Sequence, residues 1–259
     1  MAYLKTETDE RGVTTITLNR PEQHNAIDRA FIDEFTHTLE HLNSNTRILV
    51  IAGAGKNFCA GADINWMKAS AELGEQQNTD DARALSNMLE TLNTFSRPTL
   101  ARVHGAALGG GTGLVCCCDI VVADETAQFG FSEVRLGILP ATISPYAIQA
   151  IGPRIARRYF LTGERIDAVE AYRLRLIHDV CSTDNMDRRV NEKITALLSG
   201  APGAQGATKK LIADVTGQPI NDTLRQELSE RLASIRTGKE AQEGLSAFLQ
   251  KRPANWPSD

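Results

Sequence analysis

"GAALGGGTGL" spans Gly105–Leu114 and places glycine at positions 109, 110, 111 and 113. Glycine is a poor former of both helix and strand, so so dense a cluster needs a cause in backbone geometry. Upstream, "PTLARVHGAAL" (Pro98–Leu108) reads as a strand. Downstream, "LVCCCD" (Leu114–Asp119) reads as a short buried helix. The glycines then mark a strand-to-helix junction. A second junction of this kind is "FCAGADINW" (Phe58–Trp66), which follows the buried strand "RILVIAGAG" (Arg47–Gly55) and opens a helix near Asp63. At such a junction several backbone N–H groups lack an intrahelical partner, and the helix dipole adds partial positive charge. Two of these N–H groups aimed at one point form an oxyanion hole. Glycine and alanine let a ligand carbonyl approach them. The same glycines could instead serve only tight packing of helix on sheet, and each motif alone leaves that choice open.

Periodicity supplies the surrounding elements. "VTTITLN" (Val13–Asn19) is β-branched and reads as a strand. Phe31, Phe35 and Leu39 recur every four residues between about Asp28 and Leu42, which predicts a helix with one buried face. "AELGEQQNTDD" (Ala71–Asp81) is polar and is expected to be mobile. Leu85, Met88, Leu89, Leu92 and Phe95 mark a further amphipathic helix. "DIVVAD" (Asp119–Asp124) is the next strand, and "AQFGFSE" (Ala127–Glu133) alternates as a short one. Strand and helix alternate, which predicts an α/β core with parallel strands and right-handed crossovers. From about Asn185 onward the signal is helical only, with "SGAPGAQG" (Ser199–Gly206) as a break. The division is placed near residue 195, giving a core of residues 1–195 and a helical region of residues 196–259.

Composition narrows the function. A length of 259 residues fits one large domain, or one domain with an appendage, at about 150 residues per domain. A net charge of −4 without a basic patch argues against a nucleic-acid partner. No apolar run approaches the roughly 20 residues of a membrane span, and "MAYLKTETDE" lacks a signal-peptide core. The expectation is a protein of the cytoplasm, or of an organelle matrix after processing, with no membrane partner. The five cysteines are odd in number and three are consecutive (Cys116–Cys118), so they read as small buried hydrophobes rather than a disulfide framework. "HTLEH" (His37–His41) matches a zinc-protease signature, yet it lies on the polar side of the first amphipathic helix and lacks a third ligand. A solvated face is expected there, and no metal. "GGGTG" does not fit a dinucleotide fingerprint, and "GAGKN" (Gly53–Asn57) lacks phosphate-loop spacing.

Taken together, "FCAGADI" and "VHGAALGGGTGL…CDIVVADETAQFGFSEVRLGILP" resemble the enoyl-CoA hydratase/isomerase family, also called the crotonase superfamily. The resemblance extends to "NRPEQHNAI" near the start and "LTGERIDAVEAYRLRLI" later. It implies a crotonase-like spiral of ββα units followed by a helical region that builds homotrimers, usually paired into hexamers. It also implies an acyl-CoA thioester as substrate, with no separate cofactor because coenzyme A is part of that substrate. Carried over position by position, the oxyanion hole falls on the backbone N–H groups of Ala62 and Gly110. Segments His24–Ala26 and Ala60–Ile64 (with Ala62 and Asp63 inside the latter) match those that hold the adenosine end of CoA. Arg20 is a candidate phosphate partner. One of the two glutamates common in family hydratases matches Glu133. Its apolar surroundings would raise its pKa, as a proton donor to C2 requires.

The chain departs from the family pattern twice. The other glutamate is replaced by Gly113, whose missing side chain is expected to leave an empty space near the oxyanion hole. Where many hydratases carry "GAGGTQ", this chain has "ATISPYAI" (Ala141–Ile148). Thr142, Ser144 and Tyr146 could line the acyl pocket, with Tyr146 orienting water. Alternatively, Pro145 and Tyr146 cap and pack the next helix. "GGGTGL" with "LPATISPYAI" resembles the branched-chain subgroup that hydrates methylglutaconyl-CoA in leucine or isoprenoid breakdown. Arg135 and Arg154 are candidates for a distal substrate carboxylate. The expected activity is enoyl-CoA hydratase, a reversible 3-hydroxyacyl-CoA dehydratase. The alternatives are a Δ3,Δ2-enoyl-CoA isomerase, for which one glutamate suffices, and a non-catalytic acyl-CoA-binding protein.

Overall fold

The β-branched run β2 (Val13–Leu18) and the apolar run β3 (Ile48–Gly53) lie side by side in parallel, Val13 opposite Ile48 and Leu18 opposite Gly53. The computed structural model describes residues 2–256. To this pair the chain adds β1 (Leu4–Thr8), β4 (Thr99–Val103), β6 (Ile120–Asp124) and β9 (Asp179–Cys181) in the order β1-β2-β3-β4-β6-β9. All neighbours are parallel except β1 and β2. β5 (Ala106–Leu108), β7 (Gln128–Gly130) and β8 (Arg165–Asp167) form a second, three-stranded sheet in the order β5-β7-β8.

Helices cover both faces of the larger sheet. Ile16, Leu18, Leu49, Ile51, Ala101 and Val103 point into the main core with α1 (Arg29–Glu40), α3 (Glu75–Asn93), α4 (Gly110–Cys116) and α5 (Ser144–Thr162). The alternate residues Val13, Ile48, Val50, Leu100 and Val122 meet Met186, Val190 and Ile194 of α7 (Met186–Leu198) on the other face. That period of two, with both sets buried, is what a parallel sheet covered on both sides demands. Residue 195 lies within α7. Beyond it come only helices among the described residues: α8 (Pro202–Val215), α9 (Asp222–Arg236) and α10 (Lys239–Leu249). Glu240 of α10 accepts from the Gly203 and Ala204 amides at 2.8 and 2.9 Å and so caps α8. Lys209 of α8 reaches Asp119 at 2.7 Å and ties that helix to the core.

Several sequence expectations change. The strand drawn over Pro98–Leu108 is two strands in different sheets, divided at His104–Gly105. The helix drawn from Leu114 begins four residues earlier, so the glycines form its first turn. The polar stretch expected to be mobile is ordered from Glu75 as the start of α3. Its cause is visible in Asn78, whose Nδ2 donates to the carbonyls of Ser70, Leu73 and Gly74. Those bonds fasten α3 to the turn that follows α2 (Ile64–Ser70). The described cysteines are free, and burial pushes the Cys59 thiol up to about 12. His37, Glu40 and His41 are exposed, as the solvated-face reading expects.

One side chain joins the loops that leave β2 and β3. Asn25 is 1% exposed and adopts φ +55°. Its Nδ2 donates to the carbonyls of Ala54, Asn57 and Phe58 at 2.9, 2.8 and 3.1 Å, and its Oδ1 accepts from the Arg20 amide at 2.9 Å. Asn25→Ala removes all four bonds, strands buried carbonyls and leaves alanine in the left-handed region. We expect it to lower the unfolding free energy by about 3 kcal/mol, measured by urea denaturation.

Candidate active site

Three backbone segments are laced together where β2, β3 and β5 end. Cys59 pairs with Ala107, its amide donating to Ala106 O and its carbonyl accepting from Leu108 N, both at 3.0 Å. Ile27 pairs with Ala62 through Ile27 N to Gly61 O and Asp63 N to Ile27 O, both at 2.8 Å. Ala60 N donates to His24 O at 3.0 Å. The contact leaves no room for side chains. Gly61 sits at φ +96°, and a Cβ there would lie 2.8 Å from Leu108 O. A Cβ at Gly111 would lie 2.3 Å from Cys59 O.

This lacing leaves two amides over. Ala62 N–H points away from Ile27, and Gly110 N–H is the first of α4. Neither has a hydrogen-bond partner among the described residues. Ile27 lies beside both, pairing with Ala62 through its backbone while its Cδ1 stands over Gly110. Both residues are partly exposed, whereas Gly61 and Gly109 are buried.

Glu133 arrives from the smaller sheet. β7 runs parallel to β5, and Gly109 N donates to Gly130 O at 2.8 Å. Thr112 Oγ1 reinforces this with bonds to the carbonyls of Ala107 and Gly130 at 2.7 and 3.0 Å. The end of β7 is thereby held against the start of α4. Glu133 opens a short 3-10 turn (Glu133–Leu136) just beyond. Its Oε1 lies 3.1 Å from where a Cβ on Gly109 would stand, one residue from the free amide of Gly110. Its Oε2 is buried and has no hydrogen-bond partner among the described residues. Burial raises the carboxyl pKa above the ordinary glutamate value, with its own backbone amide a smaller opposing influence.

The space beside Gly113 is filled rather than empty. A Cβ on Gly113 would lie 2.5 Å from Ile143 Cγ2 and 3.6 Å from Leu89 Cδ2. Ile143 is 2% exposed, so its side chain is a packed wall. Neither Ile143 nor Leu89 stood out in the sequence as a site residue. Ile143 sits inside "ATISP", where the hydroxyls drew attention. Thr142 is half-buried next to it. Pro145 falls in the first turn of α5, and Tyr146 packs against the core while its hydroxyl donates to Glu90 at 2.9 Å. That hydroxyl is engaged by Glu90, and burial together with this bond raises its pKa. Both residues thus make contacts within the fold, Pro145 in the first turn of α5 and Tyr146 against the core.

The remaining candidates divide by whether they are free. His24 is exposed in a left-handed turn, with Asn57 Nδ2 donating to its ring, and Ile64 is an exposed apolar residue opening α2. Ala26 is buried and Ala60 half-buried on the same loops. Asp63 is committed to structure, since its Oδ1 caps α2 through the Asn65 and Trp66 amides at 2.8 and 3.2 Å. Arg20 is not available as a phosphate partner, because its guanidinium is inside the fold against Asp28 and Asp63 at 2.6 and 3.6 Å. Arg135 turns to the end of α5, donating to Thr162 O at 3.3 Å. Arg154 lines an open groove of about 740 Å³ with Arg157, Tyr159 and Arg173, and none of Ala62, Gly110 and Glu133 lines it. No group of three or more metal-ligating side chains occurs among the described residues.

Comparison with known proteins shows the family. Residues 8–259 match the family described as Enoyl-CoA hydratase/isomerase. The chain is 33% identical to the 2,3-dehydroadipyl-CoA hydratase of Escherichia coli, over 94% of each chain. It is 30% identical to the short-chain-enoyl-CoA hydratase of Clostridium acetobutylicum, over 94% of this chain and 93% of that one. The crystal structure of an enoyl-CoA hydratase from Shewanella pealeana superposes with a TM-score of 0.95 at 43% identity, covering 98% of this chain and 96% of that one. With a family model matched over residues 8–259 and relatives matched along almost its whole length, the chain belongs to the enoyl-CoA hydratase/isomerase family, the crotonase superfamily.

Proposed function

We propose that the protein hydrates enoyl-CoA thioesters, and dehydrates 3-hydroxyacyl-CoA in reverse, with Glu133 as its one catalytic carboxylate. The observation that carries this reading is Glu133, whose Oε2 is buried without a partner among the described residues and whose Oε1 stands against Gly109, one residue before the free Gly110 amide. The amides of Ala62 and Gly110 hold the thioester oxygen and draw charge from C3. Water adds its oxygen to C3 while Glu133 takes a proton from it. The charge rests on the thioester oxygen as an enolate. Glu133 then returns that proton to C2, and the carboxylate is restored. A carboxyl whose pKa is raised suits both halves, being the stronger base and the more accessible acid. His24, Ala26, Ala60 and Ile64 frame the path of the CoA arm, and Thr142, Ile143 and Leu89 bound the acyl group.

For the substrate we favour a branched or carboxylated enoyl-CoA such as 3-methylglutaconyl-CoA, as in leucine degradation. The "LPATISPYAI" segment and a relative named for dehydroadipyl-CoA support it. A second reading, Δ3,Δ2-isomerase, draws on Gly113, since one carboxylate suffices to move a proton from C2 to C4. For the helical region we favour a trimer or a hexamer. Ile220, Phe248 and Leu249 of that region are apolar and exposed in the single chain. No helix among the described residues is long and apolar enough to cross a membrane.

A substrate panel tests these readings. Loss of enoyl absorbance with crotonyl-CoA or 3-methylglutaconyl-CoA marks hydration, and its gain from a 3-enoyl-CoA marks isomerisation. Glu133→Gln is expected to cost about 10³-fold in kcat/KM, and full retention would sink the mechanism. The pH dependence follows from the raised carboxyl. Activity begins from the ionised form, so kcat/KM climbs with pH along a limb lying above the ordinary glutamate pKa. Stability moves oppositely, because the fold disfavours that ionised form. Glu133 therefore costs stability as pH rises through its raised pKa. Glu133→Gln should unfold at higher temperature than the parent at pH 7, with the gap closing below about pH 4.

The wall at Ile143 gives a further expectation. Gly113→Glu alone drives a side chain into Ile143 and should lower the unfolding midpoint. Ile143→Ala in the same chain should restore it and shift the product ratio toward hydration.

A further inference from the structure

Behind the oxyanion hole, one guanidinium serves two helix caps. Asp28 caps α1, accepting from Phe31 N at 2.8 Å, and Asp63 caps α2. Arg20 Nη1 donates to Asp28 Oδ2 at 2.6 Å and to Ala26 O at 3.4 Å, and its Nη2 lies 3.6 Å from Asp63 Oδ2. Its Cζ stands 4.5 Å over the Tyr3 ring, whose hydroxyl donates to the same Asp28 oxygen at 3.0 Å. Only 13% of the Arg20 side chain is exposed. Two carboxylates, one guanidinium and two helix N-termini of roughly half a positive charge each sum to about zero, which makes this burial tolerable.

The cluster meets the site through Asp63. Ala62 immediately precedes it, and the Asp63 amide closes the pairing with Ile27 that turns Ala62 N–H outward. We infer that Arg20 is a positioning residue that fixes the Ala62 amide through Asp63, an inference that rests on the hydratase reading above. An oxyanion donor must hold its place to within about 0.5 Å, and a planar fork spanning two caps supplies that restraint. Lysine has the charge but is a compact point donor that cannot bridge both carboxylates while lying flat on Tyr3.

The test compares Arg20→Lys, Asp63→Asn and the double variant in the full chain with the same enoyl-CoA. Arg20→Lys should lower kcat by about tenfold to a hundredfold, short of the ~10²–10³ of outright donor loss, while KM moves less than about threefold. The double variant should be no worse than the poorer single one, because both act through one link. Hydrogen exchange read by mass spectrometry should quicken in residues 61–70 and stay at the parent rate in α7. The inference requires both the kcat loss and the local exchange change. A rise in KM alone would return Arg20 to phosphate binding, and quickened exchange throughout the chain would make its role merely structural. Either result overturns it, as does parental behaviour in either readout. A parent protein that turns over no enoyl-CoA would instead remove the hydratase reading. The exchange comparison would then decide by itself whether Arg20 holds α2.

Discussion

Everything at this site depends on two backbone loops approaching until no side chain fits between them. Gly61 against Leu108 O and Gly111 against Cys59 O are the points of closest contact. The hydrogen bonds of Cys59 and Ile27 then consume the inward-facing amides and carbonyls. What remains is a pair of N–H groups with nothing to bind, one from each loop. Unsatisfied donors are costly when buried, and here they are tolerated because the surface opens at Ala62 and Gly110. The two free donors are the remainder of a packing problem.

The same closeness explains the lone carboxylate. α4 must start with small residues to reach the Cys59 loop, and its next turn must fit against α5 and α3. Ile143 and Leu89 fill the side of Gly113 and make that turn as tight as the first. A site with two glutamates would need a cavity where this chain has wall. Under the proposed reading the proton chemistry falls to Glu133, whose second oxygen has no partner among the described residues.

The two junctions were legible in the sequence because the requirement for glycine is local: it is written at the residue that must be small. The parallel sheet was legible for a similar reason, since β2 and β3 carry their own burial pattern. β1 was not, because only Leu4 of its five residues is buried and the rest have no alternation to read. The ordered start of α3 was hidden by its polarity, the order coming from Asn78 bonding three carbonyls. Ile143 was invisible as the partner of Gly113. Thirty residues separate them, and only the packing of α5 on α4 brings them together. Arg20 was misread for a related reason: sequence shows a cation near a binding loop but not the two carboxylates that claim it.

These features divide the labour in the site. Ala62 and Gly110 contribute backbone, which substitution at most positions leaves intact. Arg20, Asp63 and Asn25 are bonded within the fold around that backbone. Tyr146 is spent on Glu90. Under the proposed reading, Glu133 is then the side chain left to move a proton. Under that reading the two amides would stabilise an enolate at C2 whatever the acyl group. Whether that proton travels from water to C2 or from C2 to C4 is then decided by what stands beside C3 and C4. Under the proposed reading, the packing of Ile143 and Leu89 against Gly113 would set that choice by admitting or excluding a water molecule.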